Sequence, residues 1–123
     1  MIYAEAADMA ENGPSALAIN CLNQIKRRGY GYPSMDPSPV DYPATGWTTQ
    51  SFRDSVLQER AYEFVSECKR WRDLKRVGKD YAKAVIKAHL GKDVADRFFL
   101  WPVPQQEIDT NSKINQSDQN PGY

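Results

Sequence analysis

Apolar residues recur along this chain at the spacing of helix faces. Over residues 2–12, Ile2, Ala6, Met9 and Ala10 fall at i, i+4, i+7 and i+8, which is one side of a helix. Asn12-Gly13-Pro14 ends that pattern. Gly supplies the positive φ suited to a helix C-terminus, and Pro can open the next helix, where its missing N–H has no intrahelical partner. A second helix is predicted over residues 14–28, with Leu17, Cys21 and Ile25 at spacing four and Ala18 and Leu22 beside them. So short a turn makes the two helices antiparallel. Small Ala6 and Ala18, placed about Gly13, fit the close-packing positions of one tetratricopeptide-type hairpin. No second copy of that roughly 34-residue unit follows, although about three are normally needed to bury the faces of such hairpins. An ordinary helical hairpin explains the same residues.

Residues 29–46 interrupt the periodicity. Pro33, Pro37, Pro39 and Pro43 lie among Tyr30, Tyr32 and Tyr42, with Trp47 just beyond. Pro at this density forbids helix and disfavours central strands, so a long loop is predicted. Its aromatic residues suit a stacking platform for sugar rings, since Tyr and Trp combine an apolar face with a polar edge. Tyr32, Tyr42 and Trp47 are the candidate ligand contacts on that reading; on the other, these rings pack the loop onto the helices.

Helical spacing resumes over residues 52–70, with Ser51 as the expected N-cap and Asp54 in the first turn. Leu57, Ala61, Phe64, Val65, Cys68 and Trp71 define its expected buried stripe. Residues 72–76 continue that helix or begin another. An Ala-rich helix over residues 79–90 stops at Gly91, and residues 94–99 suit a short one. Trp101-Pro102-Val103-Pro104 is extended, because the residue before a Pro is pushed out of the α region. Pro104 can open a single turn through Ile108, and Asn120-Pro121-Gly122-Tyr123 carries the central residues of a type II turn. The fold class expected is mainly α: a helical hairpin, further helices and long irregular loops, divided as residues 1–28, 29–50, 51–99 and 100–123.

Composition narrows the chemistry. With 123 residues the chain suits one domain. Sixteen Lys and Arg against 16 Asp and Glu leave no net field to draw nucleic acid or anionic lipid. One His and two Cys cannot build a conventional four-ligand zinc site. No Gly-rich phosphate loop or nucleophile elbow occurs, so no cofactor and no metal are expected. His89 has no Ser, Cys or carboxylate partner in sequence that would make it a catalytic base. Cys21 and Cys68 fall on apolar stripes and read as small buried hydrophobes. No apolar run approaches the roughly 20 residues that span a bilayer. The N-terminal MIYAEAADMAEN has neither the basic nor the apolar region of a signal peptide and opens within a helical pattern, so a truncated chain is expected.

The run from Glu59 to Arg76 is the densest in charge. Glu59, Glu63 and Glu67 recur every four residues and would stack along one helix face, with Arg60 and Arg70 three residues from Glu63 and Glu67. One reading makes Glu59 and Glu63 the carboxyl pair of a glycoside hydrolase, about 5 to 9.5 Å apart across a sugar. The other makes the run a structural signature. In it, Arg side chains fork onto the Glu carboxylates and tie the helix to loops, with Trp71, Asp73 and Arg76 completing it. Carboxylates on adjacent turns of one helix point the same way, and neighbouring Arg lowers a carboxyl pKa where a general acid needs it raised. The structural reading is favoured, and no catalytic residue is expected.

Four segments in order resemble the C-terminal region of the SusD/RagB family. They are Tyr3-Ala4-Glu5-Ala6 with Ala18-Ile19-Asn20 and Ile25-Lys26-Arg27-Arg28; the Glu59-Arg60 to Asp73-Leu74-Lys75-Arg76 run; Trp101-Pro102-Val103-Pro104-Gln105-Gln106-Glu107-Ile108; and Gln119-Asn120-Pro121-Gly122-Tyr123. The resemblance covers essentially the whole chain and implies about the last quarter of such a protein, with residues 1–28 as the last hairpin of a repeat scaffold. It implies an outer-membrane, surface-exposed lipoprotein that binds glycans, or in some branches peptides, and is not an enzyme. It also implies hand-over of the ligand to a SusC-like TonB-dependent transporter barrel, and membrane attachment through a lipid anchor not found in these residues. A small helical protein- or peptide-interaction module is the alternative from the residues alone.

Overall fold

A computed structural model describes residues 1–123. Six α-helices and two 3-10 turns account for its regular structure, and it has no strand. The chain divides into two compact units, Met1–Arg70 and Trp71–Tyr123.

In the first unit, α1 (Ile2–Glu11) and α2 (Ala16–Gly29) form the expected hairpin. Asn12 caps α1 in the left-handed region at φ 54°, and Ser15 caps α2 by accepting the Ala18 N–H at 3.3 Å. The packed face of α1 differs from the one its periodicity indicates. Ala4, Glu5 and Asp8 are buried, while Ile2 and Met9 are 79% and 55% exposed. Leu17 on α2 is likewise exposed, and Ala18, Ile19 and Leu22 point inward. The close-packing pair is thus Ala4 with Ala18, both fully buried in one cluster, and not Ala6 with Ala18. Two methyl-sized side chains let the helix backbones approach, and that contact outweighs the larger apolar residues one step around each helix.

After residues 30–48, which form the expected long loop, α3 (Thr49–Glu63) starts three residues earlier than its sequence suggests. Thr48, not Ser51, is the N-cap: the Ser51 N–H donates to Thr48 Oγ1 at 3.1 Å while the Thr48 N–H donates to Ser51 Oγ at 2.9 Å. Phe52, Val56 and Leu57 are fully buried, and Phe52 and Val56 complete the core with Ala4, Ala18, Ile19 and Leu22.

The helix expected over residues 52–70 breaks after Glu63. Ser66 and Cys68 take positive φ, 68° and 55°, which no continuous helix allows. No Gly or Pro marks the break. The chain is turned by contacts instead: the Lys69 ammonium lies 4.0 Å and the Arg60 guanidinium 5.1 Å from the Phe64 ring centroid, and Arg70 Nη1 donates to the Leu57 carbonyl at 2.8 Å. Val65 and Cys68, expected in the buried stripe, are exposed, and both Cys21 and Cys68 are free thiols.

The second unit holds most of α4 (Arg70–Val77), then α5 (Lys79–Leu90), a 3-10 turn at Asp96–Phe99 and α6 (Gln105–Thr110). Gly91 ends α5 at φ 65°, as the sequence indicates. Leu74, Ala82 and Phe99 form its core, with the Trp71 and Phe99 rings 5.0 Å apart. The Pro-rich tail is held by side chains. The Gln119 amide pairs with both backbone groups of Val103, accepting at 2.8 Å and donating at 2.9 Å. The Tyr123 hydroxyl lies 3.0 and 3.1 Å from the carbonyls of Arg97 and Leu100.

Candidate functional site

The long loop is seated on α2 by two polar residues one helical turn apart. Asn23 and Arg27 are both buried. Asn23 Oδ1 accepts the Tyr42 N–H at 2.8 Å, and its Nδ2 donates to the Tyr42 carbonyl at 3.4 Å, pairing with the loop as a neighbouring strand would. Arg27 Nε donates to Asp41 Oδ1 at 2.7 Å, its Nη2 to Asp41 Oδ2, and its Nη1 to the Ser34 carbonyl at 3.0 Å. This fork holds the Asp41 carboxyl down at about 2, with Ser38 adding a hydrogen bond. Neither Asn23 nor Asp41 stands out in the sequence. The one available signal is that Asn23 and Arg27 continue the inward row begun by Ile19.

That seating sets the three aromatic residues singled out as ligand contacts. Tyr42 and Trp47 are half-buried against the first unit's core. Their rings meet edge to face at 5.7 Å, and Trp47 meets Phe52 the same way at 5.4 Å. The indole N–H donates to the Pro43 carbonyl at 2.8 Å. Tyr32 stands apart from this row, with 42% of its surface exposed. Between the loop and α2 lies a cavity of about 240 Å³ bordered by Ile19, Asn20, Asn23, Asp41 and Tyr42.

The charged run serves several partners. Glu59, buried, accepts the Tyr42 hydroxyl at 2.8 Å on Oε1. Burial first, then this bond and the Glu59 charge, push the Tyr42 phenol well above its usual range, so it remains a donor. Glu63 pairs with Arg28 from α2. Glu67 lies beyond the break and pairs with Lys69 at 2.7 Å, so the carboxylate column on α3 ends at Glu63. Asp73 and Arg76 meet at 3.3 Å in α4, where Trp71 packs on Phe99. Glu59 and Glu63 sit on successive turns of the same helix, and Glu59 is already engaged.

Two further features bear on electrostatics. Asp8 is fully buried, and neither of its carboxylate oxygens has a hydrogen-bond partner. Burial raises its pKa, the Arg53 charge opposes that, and Glu5 adds to it. In the second unit Asp96 receives both Lys79 and Lys83, which hold its carboxyl at about 2. No group of three or more His, Cys, Asp or Glu comes together as a metal site would require, and no helix is long and apolar enough to cross a membrane.

A family model described as the SusD family matches residues 1–123. Among curated proteins, SusD-like protein P2 of Formosa agariphila is 31% identical over 127 residues, covering 100% of this chain and 24% of that protein. SusD-like protein P25 of the same organism is 28% identical over 136 residues, covering 99% of this chain and 23% of that protein. The chain thus spans about a quarter of the length of these relatives. No solved structure matches. The family match runs across every helix described above, from the Ala4 and Ala18 hairpin to the Tyr123 anchor, and the chain belongs to the SusD family.

Proposed function

We propose that this chain is part of a cell-surface glycan-binding protein of the outer membrane, which captures oligosaccharides and passes them to a SusC-like TonB-dependent transporter barrel. The observation that carries this reading is the family match over all 123 residues. The chain acts by binding and makes or breaks no bond in its ligand. A glycan held for hand-over needs aromatic faces and hydrogen-bonding groups fixed in place, and a loop fastened through Asn23 and Arg27 provides that rigidity. Tyr32 offers an exposed ring for stacking. Tyr42 and Trp47, half-buried and meeting edge to face, offer the exposed parts of their rings to the same ligand. Glu59 and Glu63 act in this reading as fastenings for Tyr42 and Arg28.

Native gels cast with neutral polysaccharides test it. The expected result is slowed migration of the chain in at least one of a panel of glucans, mannans, xylans and galactans, with Tyr32→Ala migrating closer to its mobility in a blank gel. Equal mobility in every gel overturns the reading.

A further inference from the structure

The ends of α2 and α3 border a second, open-sided cavity of about 320 Å³, away from Tyr32 and Trp47 in its lining. Its walls are Ile25, Lys26 and Gly29 of α2, Tyr30 just past the end of α2, and Glu59, Tyr62 and Glu63 of α3. That volume falls at the lower end of the roughly 300 to 1,000 Å³ of small-molecule sites. Tyr30 and Tyr62 are 67% and 65% exposed, whereas Tyr42, in the same neighbourhood, is packed against the core. Both exposed rings stand on fixed backbone. The Tyr30 N–H donates to the carbonyls of Lys26 and Arg27 at 3.1 Å, and Tyr62 is in the last turn of α3.

The geometry points to a subsite for one neutral sugar ring, held between Tyr30 and Tyr62 with its hydroxyls on Glu59, Glu63 and Lys26. This rests on the glycan-binding reading above and names a place for the ligand that the loop aromatics do not supply. Charge balance argues for a neutral occupant. The lining holds Lys26, Glu59 and Glu63; Glu63 is paired with Arg28 outside it, and the Lys26 ammonium lies 3.7 Å from the Tyr42 ring centroid. Neither an anion nor an ammonium finds an excess of opposite charge. Hydroxyl groups both donate and accept, and the cavity offers both: a carboxylate has about four acceptor sites, of which the Tyr42 hydroxyl uses one on Glu59, and Lys26 carries three N–H donors. Two exposed tyrosine faces flanking such a set suit the apolar faces of a pyranose.

Gly29 provides a way to close the cavity without touching the tyrosines. A Cβ built on Gly29 meets nothing within 4 Å, and its φ is not in the left-handed region. Gly29 lines the cavity, so Gly29→Leu puts a bulky side chain at its wall without backbone strain.

The test uses the full chain with ¹³C-labelled tyrosine rings, assigned by single Tyr→Phe variants and titrated with neutral oligosaccharides from the same polysaccharide panel. The expected result is that the Tyr30 and Tyr62 ring signals shift with the glycan that slows the chain in native gels. Tyr62→Ala should then lower the affinity roughly tenfold. Gly29→Leu should abolish the Tyr30 and Tyr62 shifts while Tyr32 still responds. If the gel shift persists while the Tyr30 and Tyr62 signals stay still, the subsite is wrong and the glycan-binding reading stands. If no glycan moves any signal or slows the chain, both fall. If a lysine-containing peptide shifts these two rings and no sugar does, the neutral occupant is overturned.

Discussion

The Tyr42 hydroxyl donates to Oε1 of Glu59 at 2.8 Å, joining a residue of the Pro-rich loop to a carboxylate on α3. The bond connects the two parts of the chain that sequence reading treats as separate candidates for chemistry. It satisfies a buried carboxylate and at the same time fixes the ring on which Trp47 and Lys26 rest.

Removing the donor leaves the Glu59 carboxylate buried without this partner. Tyr42→Phe is expected to cost about 1 to 3 kcal/mol. Glu59→Gln keeps an acceptor for the phenol and is expected to cost less. Urea unfolding of the two variants, with slopes equal to the parent, checks the order.

Stability should depend on pH in two opposed ways within the first unit. The Asp41 carboxyl, held at about 2 by Arg27, is more acidic folded than unfolded. Its contribution is therefore present above the ordinary carboxylate range near 4 and is lost as pH falls toward 2. The Asp8 carboxyl is less acidic folded than unfolded because burial disfavours its charge. It binds more protons in the native state, so stability falls as pH rises from about 4 through its raised value. Asp41→Asn should flatten the acid limb of the stability profile and Asp8→Asn the fall above pH 4. Thermal melts across pH 2 to 8 report both slopes.

The turn after α3 stores strain that glycine relieves. Cys68 sits at φ 55° with its side chain exposed. Cys68→Gly is expected to gain about 0.5 to 1 kcal/mol, the left-handed penalty reduced by the greater freedom of unfolded glycine. Cys68→Val, β-branched, should lose stability. In the parent chain a thiol reagent should modify Cys68 at once and the half-buried Cys21 of α2 more slowly.

How far the sequence leads depends on the scale of the signal. Helix ends set by one residue's backbone preference are legible, as at Asn12-Gly13 and Gly91, whereas Pro14, expected to open α2, lies before its Ser15 N-cap. The break after Glu63 is not, because it depends on Phe64 being clasped by Arg60 and Lys69 and on Arg70 reaching the Leu57 carbonyl. Nor is the orientation of α1: the periodicity finds Ile2 and Met9, while the hairpin packs through Ala4 and Ala18, the residues small enough for close approach. At the candidate site, the aromatic residues are legible by type, but the Asn23 and Arg27 clamp that seats their loop joins residues 7 to 19 positions apart. The cavity between Tyr30 and Tyr62 needs the ends of two helices side by side, which no local pattern encodes.

Binding without turnover is the central claim, and one experiment on the parent chain addresses both halves. The glycan that slows the chain in native gels is incubated with it at equal concentrations, and bound glycan and newly released reducing ends are measured in the same sample. Bound glycan is predicted in the parent, with no new reducing ends over the blank in either the parent or Glu59→Gln. Reducing ends that accumulate with the parent and disappear with Glu59→Gln would contradict it, making Glu59 a catalytic acid instead of the fastening for Tyr42.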